Sequence, residues 1–138
     1  MTRIKAQSTQ AKAADTLVTH LQAYFVKALD ALSKAIGEEK NFEPVEWFRA
    51  QGIHGGGVRY VATDKSLFNR ASVNMSQVQY DSDESKQLAS ATALSTIIHP
   101  ANPHAPSMHM HISWTELKNG KGYWRMMADL NPAIIDPK

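Results

Sequence analysis

The 138-residue chain contains no cysteine, so its fold uses no disulfide and its chemistry no thiolate nucleophile or thiolate metal site. That composition is most simply cytoplasmic. Long apolar runs are missing too. The longest, around Leu94 to Ile98, is interrupted by His99 and Pro100, well short of the about 18 to 20 residues that span a bilayer. Arg3 and Lys5 are followed by Gln7, Ser8, Thr9, Gln10 and Lys12 instead of an apolar stretch, so no secretory signal is expected. No block of like charge occurs: the net charge is +2, and the basic residues are spread along the chain. This pattern gives no nucleic-acid footprint. What remains, 43% hydrophobic and 20% charged residues at 15.3 kDa, is the composition and size of one globular domain, 1–138.

Two kinds of periodicity divide the chain. From Ala13 to Ile36, Leu17, Leu21, Tyr24, Phe25, Ala28, Leu29, Leu32 and Ile36 recur at three- and four-residue steps, which predicts a long amphipathic helix. Asp15 and Thr16 suit its first turns and Gly37 its stop. A polar linker from Glu38 to Pro44 leads into a short strand or turn carrying Val45, Trp47 and Phe48. Beyond it lie β-like segments at Val58–Thr63, Ala71–Tyr80, Leu94–His99, Met108–Leu117 and Gly122–Leu130, each bounded by Gly, Asp, Asn or Pro. Asp81 to Lys86 reads as a loop, while Leu88 to Thr92 fits a short helix or a strand lead-in. Asn119-Gly120 accepts the positive φ of a tight hairpin, so the last two strands are expected to be antiparallel neighbours. The fold class is α+β: an antiparallel sheet with flanking helices and a long N-terminal helix.

Three features bear on chemistry. Gly55-Gly56-Gly57 lets a ligand approach the main chain closely, but lacks the spacing and Lys-Ser/Thr ending of a phosphate loop. A strained strand entry is the reading that the general use of glycine in loops favours. The histidines His99, His104, His109 and His111 surround a connection stiffened by Pro100, Pro103 and Pro106. Alternation places His109 and His111 together on one strand face, opposite Met108, Met110 and Ile112 and away from the core. They could act as acid or base, bind a metal through ring nitrogens, or be ordinary exposed histidines. Finally, Asp129 stands among Trp124, Met126, Met127 and Leu130. A carboxylate in apolar surroundings needs a partner, which a ligand with N–H groups would supply; a turn aspartate is the alternative.

The ordered set of segments is itself informative. The glycine run, Ser72-Val73-Asn74-Met75-Ser76-Gln77-Val78, Ser95 to Pro100 with Asn102 and Pro103, then Pro106, His109, Trp124 and Asp129-Leu130-Asn131-Pro132 resemble the oxygen-dependent coproporphyrinogen III oxidases over about Phe42 to Pro132. The resemblance implies a flat antiparallel sheet covered by helices, a homodimer, and a cleft for a tetrapyrrole substrate. It also implies oxidative decarboxylation of coproporphyrinogen III to protoporphyrinogen IX in haem biosynthesis. Molecular oxygen is the co-substrate, and no organic cofactor or metal is obligatory. By motif, Asp129 would face the pyrrole N–H groups and His109 would be the proton donor. Ser95, His99, His111 and Arg125 would bind substrate, with Arg59 and Arg125 able to pair with propionates; His99 and His109 are the candidate ligands for a divalent metal.

The departures from the family are equally specific. His111 and Ser113 stand where an asparagine and an arginine are usual, Arg125, Met126 and Met127 replace a glycine triplet, and Asn131 replaces a threonine. The C-terminal half of the family is absent, as in a fragment or a short divergent relative. An inactive relative that binds porphyrin, haem or metal through His99, His109 and His111 is therefore the second reading, and a structural or dimer-forming remnant a third.

Overall fold

The computed structural model describes residues 1–36, 42–62 and 66–134. Helix α1 (Thr9–Ala35) is followed by a six-stranded antiparallel sheet in simple sequence order: β1 (Glu43–Phe48), β2 (Gly55–Ala62), β3 (Phe68–Gln79), β4 (Leu88–Pro100), β5 (Ser107–Leu117) and β6 (Gly122–Asn131). This is the expected α+β class with the expected β5–β6 hairpin. Leu88 to Thr92 resolves as strand, Asp81 to Lys86 as the β3–β4 connection, and Trp47 and Phe48 end a strand. The expected stop at Gly37 and strand end at Thr63 lie outside the described residues. Among the described residues one α-helix covers one face of the sheet, where flanking helices were expected.

The helix begins earlier than its leucine pattern suggests. Ser8 caps it, its Oγ accepting a hydrogen bond from the Ala11 amide at 3.0 Å. Of the expected stripe, Leu21, Phe25 and Leu29 pack against the core, but its centre lies about one residue further on: Ala11, Ala14, Val18, Gln22, Val26 and Ser33 are buried, whereas Leu17, Tyr24, Leu32 and Ile36 are exposed. Small residues let α1 lie close to the sheet. Gln22 Nε2 then donates to the carbonyls of Val58 (2.6 Å) and Val73 (3.0 Å), which a leucine could not do.

On the sheet, alternation sorts side chains by face. Val73, Met75, Leu94 and Ile98 join Val18 and Val26 in the core, with Met108, Met110 and Ile112 packed against them. Buried Gln77 ties three elements together. Its Oε1 accepts from the Ala6 amide (3.0 Å), and its Nε2 donates to Thr92 Oγ1 (3.0 Å) and to the Ala11 carbonyl (3.3 Å). The opposite face is not covered by α1.

Candidate functional site on the open face

Strand register fixes which side chains meet on that open face. One row runs Val61, Ser72, Ile97, His109, Asp129 from β2 to β6, and the next Arg59, Asn74, Ser95, His111, Met127. A third begins at Trp47 and continues Gly57, Ser76, Ala93, Ser113, Arg125. Between Trp47 and Arg125 this last row holds nothing larger than serine, which leaves a low floor beside a polar row. Gly57 is needed there: a Cβ would collide with the Met75 carbonyl and press on Trp47 Nε1. That indole lies along the floor and donates to Asn74 Oδ1 at 2.9 Å.

The expected site residues Ser95, His99, His109, His111, Arg125 and Asp129 all belong to this face. His109 Nδ1 lies 3.2 Å from Asp129 Oδ1, and its Nε2 is 3.3 Å from His99 Nε2. Ser95 Oγ hydrogen-bonds His111 Nδ1 at 2.8 Å. With the Nδ1 proton of His109 directed at Asp129, Nε2 is the atom left for exchange. In the neutral ring it accepts from His99 Nε2–H; in the doubly protonated ring it donates. The arrangement can therefore hold and pass a proton along Asp129, His109 and His99.

Asp129 differs from its expected setting. Its apolar sequence neighbours Trp124, Met126 and Leu130 occupy the other face, and only Met127 shares its side. Its side chain is 39% exposed and also accepts from Asn131 Nδ2. His104 is exposed on the β4–β5 connection and makes no contact with the other histidines; its amide donates to Asn102 Oδ1 at 2.9 Å. Gly55 to Gly57 form the entry of β2, with positive φ at Gly55 and Gly56, and so serve close strand approach.

Sequence alone assigned no site role to Arg70, nor to Trp47, Asn74 and Asn131, the last two of which it held only as motif positions. Arg70 is opposite His99 in β3 and shares a cavity of about 540 Å³ with Arg59, Ser72 and Ile97. A second hollow of about 280 Å³ joins Trp47, Arg59, Asn74 and Ser95. The available signal was alternation: Ser72 and Asn74 share the parity of Arg70 within β3.

A metal would find two donors here. Imidazole nitrogens bound at about 2.0–2.1 Å in tetrahedral geometry stand roughly 3.3–3.4 Å apart, which matches His99 and His109 as well as a hydrogen bond does. Among the described residues no group of three or more His, Asp or Glu side chains is placed to hold an ion. No described helix is long and apolar enough to cross a membrane.

Residues 13–137 match the family model for coproporphyrinogen III oxidase. The chain is 32% identical over 124 residues to the oxygen-dependent coproporphyrinogen-III oxidase of Drosophila melanogaster, covering 78% of this chain and 30% of the relative. It is 30% identical over 143 residues to the mitochondrial human enzyme of that name, covering 88% and 30%. For the Synechococcus sp. (strain CC9902) protein the identity is 30% over 130 residues, covering 86% and 34%. The chain thus spans about a third of the length of these relatives, less than the half expected.

Proposed function

Since the chain belongs to the coproporphyrinogen III oxidase family, we propose that its open face binds coproporphyrinogen III and supports its oxygen-dependent oxidative decarboxylation to protoporphyrinogen IX. The observation that carries this reading is the gathering of Ser95, His99, His109, His111, Arg125 and Asp129 on one face beside a floor of small residues. A flat macrocycle fits such a floor, and a carboxylate beside it is suited to pyrrole N–H groups. Each conversion takes carbon dioxide, two electrons and a proton from a propionate side chain, with oxygen accepting the electrons. His109 is the proton-exchanging residue in this scheme and Asp129 its partner. Arg125 and Arg59 are the guanidinium donors for propionates. No organic cofactor enters; a divalent metal, where one takes part, is held by His99 and His109. The chain acts as one domain of coproporphyrinogen oxidase-like fold, as a homodimer, in the cytoplasm. The cysteine-free composition supports that location, although the human relative is mitochondrial by name.

The test is anaerobic addition of coproporphyrinogen III to the 138-residue chain, then oxygen, then chromatography of the oxidised products. Protoporphyrin above a protein-free control supports the enzyme. Unchanged substrate rejects catalysis by this chain. The second reading, an inactive relative that binds porphyrin, haem or metal, is favoured by the extra imidazole of His111 beside Ser95; a spectral titration with haem then decides it.

A further inference from the structure

Strand β3 opens on a bulge. In an unbroken strand, residues three apart face opposite sides, yet Phe68 (2% exposed) and Ala71 (1%) both enter the core, Phe68 against the ring of Phe42. The extra residue between them, where the register with β4 shifts, leaves Asn69 and Arg70 side by side on the open face. Arg70 thereby comes to line the cavity of about 540 Å³ that also holds Arg59. On β3 it lies four residues from Asn74, the partner of Arg59, so at about 3.4 Å per residue and about 4.8 Å between strands the two Cα atoms stand about 14 Å apart. One arginine occupies each end. Midway between them Val61 and Ser72 face each other, with Ile97, 41% exposed, next in the same row.

Two like charges sharing a hollow repel unless an anion stands between them. Among the described residues this chain supplies none: the ion pairs are Arg3 with Glu46, Lys5 with Asp15 and His109 with Asp129, and Glu43, opposite Val61 on β1, bonds to neither arginine. The backbone amides beneath the cavity belong to strands paired on both sides, so they cannot cradle a phosphate as a nest of free N–H groups does. What the cavity offers is a forked donor at each end, the Ser72 hydroxyl, and an apolar strip of Val61 and Ile97. We propose that Arg59 and Arg70 bind a carboxylate carried on a short alkyl arm, the arm lying on Val61 and Ile97. Two sources share that chemistry: a propionate of a tetrapyrrole on the neighbouring floor, and a free short-chain carboxylate. The first rests on the reading above and deepens it, since Ile97 stands beside His109 and Arg70 opposite His99. The site itself does not depend on that reading.

The arginine Nε–H signals of the full chain, assigned through Arg59→Gln and Arg70→Gln, are followed by NMR in butanoate, acetate and inorganic phosphate. Both arginines are exposed, so both variants keep the wild-type urea midpoint. Butanoate is expected to shift both signals saturably. It half-saturates at a concentration at least about fivefold lower than acetate, because each methylene it adds contributes up to about fourfold when buried. Ile97→Ser is expected to erase that preference. A titration with coproporphyrin III, read by its own fluorescence, identifies the source. If its propionates use the site, Arg59→Gln and Arg70→Gln each weaken binding about tenfold or more. Lys27→Gln removes the same charge from an exposed position on α1, away from the open face, and changes binding less than about twofold. A butanoate shift with coproporphyrin affinity unmoved in both arginine variants supports the site and assigns it to a free carboxylate, against its use by the tetrapyrrole. No butanoate shift, acetate equal to butanoate, or phosphate as effective as butanoate overturns the inference. None of these results decides tetrapyrrole turnover, which is measured separately.

Discussion

Replacing Gln77 by leucine keeps the side-chain volume near its original value while deleting a group that joins the N-terminal segment, α1 and β4. The amide of Ala6, 2% exposed, loses its acceptor Oε1 at 3.0 Å, and Thr92 Oγ1, fully buried, loses the Nε2 donor at 3.0 Å. The Ala11 carbonyl is less affected because it lies in the helix, where a backbone amide four residues on can still serve it. Two orphaned polar groups at about 1–3 kcal/mol each, less about 1 kcal/mol returned by apolar burial of leucine, give a net loss of about 1–5 kcal/mol. With a urea dependence of about 1.5–2 kcal/mol per molar for a chain of this size, the unfolding midpoint falls by about 0.5–3 M. Circular dichroism in urea measures it, at one fixed protein concentration because dimerisation would contribute. A midpoint within about 0.3 M of wild type, a change of only about 0.5 kcal/mol, refutes the claim that Gln77 fastens the helix to the sheet.

Asp129→Asn keeps the shape and removes the charge beside His109; turnover of coproporphyrinogen III, once present, falls about 10²–10⁴-fold, while stability changes by under about 1 kcal/mol because the pair is part-exposed. Unchanged turnover contradicts the role given to Asp129. Gly57→Ala drives a methyl group into the Met75 carbonyl and lifts Trp47, costing about 2–3 kcal/mol or more, with a shift in indole fluorescence. Gly120→Ala meets no atom within 4 Å and costs only the about 1–2 kcal/mol of a positive φ, so equal losses at the two sites refute the close-approach argument. The carboxyl of Asp83 is held below its ordinary value of 3.8, chiefly by the Ser85 hydroxyl; burial opposes this as the second influence, and the Ser85 amide and the charges of Lys86 and Lys118 lower it further. A depressed carboxyl stabilises the folded loop above the unfolded value, and that contribution disappears as pH falls through the lower folded value. Amide exchange at Ser85, followed below pH 3.8, is expected to rise in wild type and to lose this pH dependence in Asp83→Asn.

Local chemistry was legible wherever it depends on one strand or one turn. Alternation along Met108 to Trp114 separated His109 and His111 from the core side, and Asn119-Gly120 named its hairpin, where Gly120 indeed has φ 82°. The helix stripe was misplaced by about one residue because hydrophobicity favours Leu17, Tyr24 and Leu32, whereas close approach to the sheet selects Ala11, Ala14 and Ser33 and a carbonyl-binding Gln22. Asp129 was set in apolar surroundings because sequence adjacency ignores faces: Met126 and Leu130 are its neighbours in chain but not in space. The row Arg59, Asn74, Ser95, His111 could not be read at all. It exists only through three successive strand pairings, and register across strands is a property of hairpin lengths and bulges.

That dependence gives the connections a part in the chemistry. Every open-face contact, from Trp47 to Asn74 and from His99 to Asp129, survives only if neighbouring strands keep their offset. A slip of one residue in β5 would bury His109 and His111 under α1 and expose Met108, Met110 and Ile112. Burial of those three methionine and isoleucine side chains opposes the slip from within, and the hairpin ends oppose it from outside. At one end the Asn102 carbonyl accepts from the Ala105 amide at 3.1 Å, and its side chain from His104. At the other, the Leu117 amide donates to the Lys121 carbonyl at 2.8 Å, while Asn119 Oδ1 accepts from the Lys121 amide at 3.0 Å. Asn102 and Asn119 touch none of the candidate site residues, yet they fix where those residues meet. The proline-rich segment between His99 and His109 is thus best understood as a register device: it holds the two imidazoles across the β4–β5 pair so that their Nε2 atoms face each other.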